Sequence, residues 1–246
     1  MPFGTPTYYF ETLPSTNEYA LELLAQEELL EGAIIETAHQ TKGRGQKNRT
    51  WHSQPNVNIT LSVILHPNWL AIESQFLLNL MAALSIVKTI EITISKNAQV
   101  KWPNDVYVDA KKISGILIKN QLQGGSIQNS IVGIGLNVLQ SEWPEDVISA
   151  TSLINESQQS LRIDKVKFTL LSQLEKYYFL IQTDQQAVID AYNQYLYKKD
   201  EAVVFHYQGQ VQNGIVRSID HLGRLLIEME GSIRPFGLGE ITFHNT

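Results

Sequence analysis

Apolar and polar positions alternate along this chain with two different periods, and the switches between them mark its elements. Residues 8–13 are an aromatic, strand-forming run stopped by Pro14. Ser15-Thr16-Asn17-Glu18 follows as a capping box, with Ser15 as N-cap and Glu18 three residues on. Tyr19, Leu23 and Leu24 then recur at helical spacing. Gly32 ends that helix, and 33–38 is a strand. Asn58–Leu65 alternates with period two and predicts a strand with one buried face. The stretch from 72 to about 91 predicts a long, mostly apolar helix behind the sheet. Lys101 ends an apolar strand at the turn set by Pro103. Short strands follow at 106–108, 112–122 and 131–138, with Gly124-Gly125 closing a hairpin. Helices are expected at 164–182 and 185–197. From Lys198 onward short strands at 202–207, 210–219, 225–229, 233–236 and 240–243 are punctuated by Gly209, Gly223, Gly231 and Gly239. The expected fold is therefore α/β (α+β): a mixed β-sheet domain flanked by helices over 1–197, then a small all-β domain of barrel type over 198–246.

Composition narrows what such a fold can do. The 246 residues are 43% hydrophobic, enough for a full core. There is no Cys, which removes disulfides, thiolate metal sites and Cys nucleophiles and suits a reducing cytoplasm. The N-terminus, Met-Pro-Phe-Gly-Thr-Pro, lacks the regions of a signal peptide. The greasiest stretch, Phe76–Ile94, is interrupted by Asn79, Ser85, Lys88 and Glu91 and reads as a buried helix, so no membrane partner is expected.

Charge adds the strongest signal. The formal net charge is −6, yet Lys42, Arg44, Lys47 and Arg49 fall within eight positions, and no Asp or Glu occurs between Thr37 and Ile72. Gly43 and Gly45 let this loop approach an anion closely, and the two arginines can fork onto phosphate or carboxylate oxygens. Asn48 stands where a dinucleotide fingerprint needs its third Gly, and no Walker loop is present. Capture of a small anionic ligand and a plain solvated hairpin loop both fit the loop taken alone. Nucleic acid is disfavoured by the acidic whole, with a pI near 5.5. Elsewhere, Ser15, Thr16 and Asn17 offer donors at a helix start, and Lys101 at its sharp turn can aim an ammonium into a cleft or stand exposed at a strand end. Gly115, Gly133 and Gly135 suit close approach of a ligand or backbone to the sheet.

Taken in order, these motifs resemble the biotin protein ligases, also called biotin–[acetyl-CoA-carboxylase] ligases. The resemblance runs over nearly the whole chain. It is carried by Ser15-Thr16-Asn17, Gln40 with Gly43-Arg44-Gly45, Arg49-x-Trp51, and Lys101-Trp102-Pro103-Asn104-Asp105. Lys112-Ile113-Ser114-Gly115-Ile116-Leu117, residues 133–138 and Ala150-Thr151-Ser152-Leu153 continue it, and the C-terminal segment is similar to that family's SH3-like domain. The resemblance implies ATP-dependent activation of biotin to biotinyl-5′-AMP and transfer to a lysine of a biotin carboxyl carrier domain. Mg²⁺ is expected to be held mainly by the ATP phosphates, without a dedicated protein metal site.

Carried over residue by residue, Lys101 and Arg44 are the expected catalytic cations. Biotin is expected at Ser15, Thr16, Asn17, Gln40, Arg44, Gly45, Gln46, Lys101, Gly115 and Gly135. Gly115 and Gly135 would let its bicyclic ring lie against the sheet. The nucleotide is expected at Gly43, Arg44, Arg49, Trp51, Asn104 and Asn137. The chain departs from many members at Gln46, where they carry Arg, and from some at Asn48, where they carry Gly. Ser15 stands too near the N-terminus for the DNA-binding module of the larger members, so no nucleic-acid partner is expected. The chain is expected in the cytoplasm as a monomer or homodimer. A lipoate or octanoate ligase of the same fold is the nearest alternative, and a non-enzymatic nucleotide- or nucleic-acid-binding module is the alternative from another class.

Overall fold

A computed structural model describes residues 2–46, 49–145, 147, 149–157 and 159–243. Its main sheet has seven strands: β1 (Thr7–Leu13), β2 (Ile34–Gln40), β3 (Asn58–Leu65), β4 (Gln99–Lys101), β5 (Asp105–Val108), β6 (Lys111–Gln123) and β7 (Ser126–Asn137). Their spatial order is β1-β2-β3-β7-β6-β5-β4. Only β1 and β2 run parallel, so the sheet is mixed as expected.

The sheet is covered on both faces, which corrects the expectation for β3. All eight of its residues are buried. Ile59, Leu61, Val63 and Leu65 face the large core beneath α2 (Phe76–Ile94), α4 (Ile163–Thr183) and α5 (Gln185–Tyr195). The alternate positions face α1 (Thr16–Leu24): Ile64 joins a second core with Ala20, Ile35 and Ile131, while Ser62 hydrogen-bonds α1. The period of two is real, but its polar phase points into a polar corner beneath α1 rather than into solvent. Helix α2 is 19 residues long, and the segment Ile72–Ile94 is long and apolar enough to cross a membrane; 72% of its most apolar window is buried inside the protein. The short helix α3 (Leu153–Glu156), started by the Ser152 side chain, was not legible from periodicity because it holds a single turn.

The last five strands form a separate antiparallel sheet: β8 (Ala202–Tyr207), β9 (Gln210–Ile219), β10 (Leu225–Met229), β11 (Ser232–Phe236) and β12 (Ile241–Phe243), in the order β11-β10-β9-β8-β12. Its apolar face does not form a core of its own. Phe205, Val216, Leu225, Phe236 and Ile241 are continuous with the core of α2 and α5, where Phe76 and Tyr192 meet edge-on.

Trp102 stitches this seam. Its Nε1 donates to the Gly223 carbonyl at 2.9 Å, and both residues are buried. Trp102→Phe keeps most of the apolar volume but strands a buried carbonyl, so it is expected to lower stability by about 1–3 kcal/mol. A fall in the denaturant midpoint at constant m-value would show this; an unchanged midpoint would mean water replaces the indole.

Candidate functional site

The first turn of α1, the loop between β2 and β3, the ends of β4 to β7 and the tip of β12 enclose a cavity of about 480 Å³. Sequence-expected residues converge on it: Ser15, Thr16, Asn17, Gln40, Arg44, Gly45, Gln46, Arg49, Trp51, Lys101, Asn104, Gly115 and Gly135 all line its wall. Gly43 and Asn137 do not. The carbonyl of Gly43 accepts the Trp51 amide at 3.0 Å and so shapes the loop. Asn137 is buried beneath the cavity, where its Nδ2 donates to the Thr151 carbonyl at 2.9 Å. Lys47 and Asn48 lie outside the described residues.

One end of the cavity is polar but uncharged. Ser15 caps α1 by accepting the Glu18 amide at 3.5 Å. The capping box stops there: the Glu18 carboxylate lies 3.3 Å from Arg44 Nη1 and makes no hydrogen bond back to Ser15. This ion pair draws the basic loop toward the helix start, against the expectation of a purely local cap. Gln40 Oε1 accepts from the Thr16 amide at 2.8 Å and from its hydroxyl at 3.3 Å. Its own Nε2 has no hydrogen-bond partner among the described residues and is placed as a donor for a ligand. Asn17 is held at both ends, accepting from Ser62 Oγ at 2.7 Å and donating to the Leu117 carbonyl at 2.8 Å. It lies flat on Gly133, where an added Cβ would stand 2.4 Å from Asn17 Oδ1.

The floor is formed by two more glycines, and the ring resting on them is Trp51. A Cβ at Gly135 would stand 2.4 Å from the indole, and one at Gly115 would stand 3.2 Å from it. The indole Nε1 is buried without a hydrogen-bond partner among the described residues. Sequence reasoning set biotin against these glycines; the structure sets Trp51 there, brought by the loop.

The other end is cationic. Lys112 Nζ pairs with Asp105 at 2.7 Å and lies 5.6 Å from the Trp51 ring. Lys101 Nζ lies 5.0 Å over the Tyr107 ring. Burial pulls the Lys101 ammonium below the usual lysine range; Asp105 opposes that shift, while Lys198, Lys112 and Arg49 add to it. Burial, and then Asp105, push the Tyr107 phenol up to about 12, so it stays a neutral hydroxyl beside the ammonium. Among the described residues Lys101, Lys112 and Arg49 thus share the wall with a single carboxylate, Asp105, an arrangement that favours an incoming anion. Asn104 holds the strand ends together, donating from Nδ2 to the Ile116 carbonyl at 2.8 Å.

Two contributions were missed in the sequence. Lys112 opens a motif that was read for its glycine, and only its register opposite Tyr107 in β5 turns it into the cavity. Ile241, Thr242 and Phe243 also line the wall, although they lie in the C-terminal sheet.

A sequence model of the biotin/lipoate A/B protein ligase family matches residues 9–137, just over half of the chain. The chain belongs to this family. It is 35% identical over 161 residues to the bifunctional ligase/repressor BirA of Bacillus spizizenii, a match covering 64% of this chain and 49% of that protein. It is 29% identical over 234 residues to the biotin–[acetyl-CoA-carboxylase] ligase of Mycobacterium tuberculosis, covering 92% and 85%. The chain therefore spans about half the length of the Bacillus relative and most of the mycobacterial one. Among solved structures, the biotin protein ligase from Aquifex aeolicus in complex with biotin and ATP superposes with a TM-score of 0.82 at 26% identity, covering 98% of this chain and 99% of that one. The family thus embraces both the biotin and the lipoate alternatives, and the choice between them rests on the cavity.

Proposed function

We propose that this chain is a biotin protein ligase, and one observation carries the choice: hydrogen-bonding groups without charge line one end of the cavity, and cations line the other. Biotin has that same polarity, with a polar ureido ring at one end and a carboxylate at the other. The head of lipoate or octanoate is apolar and would offer no acceptor to Gln40 Nε2 or to the Ser15 hydroxyl proton. A site built to hydrogen-bond its substrate rejects an analogue lacking the partner group far more strongly than a greasy pocket rejects one methylene.

In the proposed reaction the biotin carboxylate oxygen attacks the α-phosphorus of ATP. The new acyl–phosphate bond forms as the bond to the bridging oxygen breaks, and pyrophosphate leaves. The amine of a carrier lysine then attacks the acyl carbon, loses its proton to form the amide, and expels AMP. Both approaches bring anions together or develop oxyanion charge, so fixed cations are the main requirement. We assign Lys112 and Lys101 to the carboxylate and phosphate oxygens, and Arg44 and Arg49 to the loop that closes over the adenylate. Gln40, with Ser15 and Thr16, holds the ureido ring. Trp51, with one side seated on Gly115 and Gly135, offers its remaining side as a wall for the bound adenylate. Gln46 lies on the same wall with no charge to offer the adenylate.

Among the described residues no group of three or more His, Cys, Asp or Glu side chains is placed to hold a metal. Asp105, the one carboxylate that the described residues place on the cavity wall, is already paired with Lys112. That donor set suits Mg²⁺ arriving on the triphosphate, where it shields phosphate charge from the incoming carboxylate. The partner in this reading is a biotin carboxyl carrier domain in the cytoplasm; residues 1–197 supply most of the site, and the SH3-like segment 198–246 closes its wall with the tip of β12. Nucleic acid stays outside the reading, because the basic side chains converge on the cavity of a chain with net charge −6.

The expected result is ATP–pyrophosphate exchange that depends on added biotin and Mg²⁺, followed by labelling of a carrier lysine. Exchange supported by lipoate or octanoate but not by biotin would overturn this reading in favour of the other branch of the family.

A further inference from the structure

Lys112 has an unusual backbone position. The β6–β7 ladder begins at the pair Ser114↔Leu136, so Lys112 lies beyond the reach of β7. The edge that β7 leaves open is filled by the strap 149–151. Lys112 N donates to the Ser149 carbonyl at 2.7 Å, and Thr151 N donates to the Lys112 carbonyl at 2.9 Å, forming a parallel bridge between Lys112 and Ala150. Both main-chain polar groups of Lys112 are therefore held by a segment with no place in the regular sheet.

The strap is itself anchored. Thr151 Oγ1 donates to Glu156 Oε1 at 2.7 Å, and Lys96 Nζ donates to Glu156 Oε2 at 2.8 Å. The same ammonium reaches Asp109 Oδ2 at 2.9 Å, in the turn that leads into β6. Lys96 thus joins the two segments that flank Lys112, one on each side. The Glu156 side chain is only 9% exposed. Burial by itself would raise its carboxyl; the hydrogen bonds from Lys96 and Thr151 outweigh burial and hold it below the usual carboxylate range. It is therefore ionised at neutral pH, which is the state both donors require.

None of these groups lines the cavity except through the strap, and the proposed reaction uses none of them directly. From this geometry we propose that Glu156, clamped by Lys96 and Thr151, is a positioning residue that fixes the Lys112 ammonium in the cavity through the strap 149–151. The proposal rests on the ligase reading only for the reaction it affects, since the placement of Lys112 can be measured without it. The leverage is geometric: a reacting group displaced by about 1 Å can lose up to about 10²-fold in rate.

The test is a double-mutant cycle in the full chain. Glu156→Ala is expected to lower the kcat of biotin-dependent pyrophosphate exchange by about 10-fold or more in the native background, with a smaller change in KM for ATP. In a Lys112→Ala background the same change is expected to alter kcat by less than about 2-fold, because there is no ammonium left to misplace. A purely structural role for Glu156 would cost the same factor in both backgrounds and would overturn the proposal. Glu156→Asp, which keeps the charge on a shorter stem, is expected to recover part of the rate.

A readout independent of turnover separates this from the ligase reading. With the lysines reductively ¹³C-methylated, the Lys112 resonance, assigned by its loss in Lys112→Ala, is expected to shift in Glu156→Ala protein. An unmoved resonance overturns the proposal even if exchange is normal. Absent exchange with a shifted resonance would overturn the ligase reading alone.

Discussion

Lys112→Ala and Lys101→Ala are each expected to slow biotin-dependent pyrophosphate exchange by about 10²–10³-fold, the usual cost of removing one fixed donor from a developing oxyanion. The two losses differ in origin. Lys101 faces Tyr107 and has no carboxylate of the described residues within ion-pair distance, so its removal subtracts charge and little else. That loss should appear mainly in kcat while the fold survives. Lys112 is paired with Asp105, whose carboxylate is 20% exposed. Removing Lys112 strands a negative charge in the wall of an anion site, and KM for ATP should rise as well. Adding Asp105→Asn to Lys112→Ala should recover much of the ATP affinity without the rate. The double lysine mutant should lose less than the product of the single losses, because the two ammonium groups act on the same charge. Near-normal turnover in folded Lys101→Ala protein would return that residue to the role of a strand-end lysine.

Gly133→Ala is the second large effect expected. The new methyl would stand 2.4 Å from Asn17 Oδ1 and 2.7 Å from its Nδ2. A free surface amide would swing aside, but this one is bonded to Ser62 Oγ and the Leu117 carbonyl. Yielding means breaking both bonds in a buried corner and disturbing the first turn of α1, which also carries Ser15 and Thr16. Overpacking of this kind typically costs about 1–3 kcal/mol of stability. Loss of one or two well-placed hydrogen bonds to the ureido ring should raise KM for biotin by roughly 10–100-fold. Asn17→Ser in the same chain removes the obstructing amide, so the double mutant should be more stable than Gly133→Ala alone. If the single mutant binds biotin normally by calorimetry, the α1 corner does not contact the ring.

Much of the architecture was determined by local sequence. Pro14 and Ser15 end β1 and start α1 because a missing amide stops pairing and a hydroxyl satisfies the first free helix donor. The glycine-punctuated alternation after Lys198 specified a second antiparallel sheet, and Gly124-Gly125 specified the β6–β7 hairpin, because those turns demand positive φ. The ordered motifs also named most of the cavity wall, but through their resemblance as a set to the biotin protein ligases; taken singly, each fitted a helix start, a hairpin loop or a strand end as well.

Tertiary structure decided what each of those groups touches. Period two in β3 distinguishes its two faces, but whether the polar face meets water or α1 depends on a helix 34 positions away or more in the chain, and it meets α1. Gly135 signals close approach without saying of what, and the occupant is Trp51, delivered by a loop. Lys112 and Lys101 are indistinguishable as lysines near strand ends; the register of β5 against β6 places the first beside Asp105, and the turn at Pro103 places the second over Tyr107. Glu156 is one acid in a single-turn helix until the strap brings it to Thr151 and Lys96. Local order is written in spacing because backbone geometry repeats every two or 3.6 residues. The candidate site joins groups far apart in sequence, and only the folded sheet fixes the distances among them.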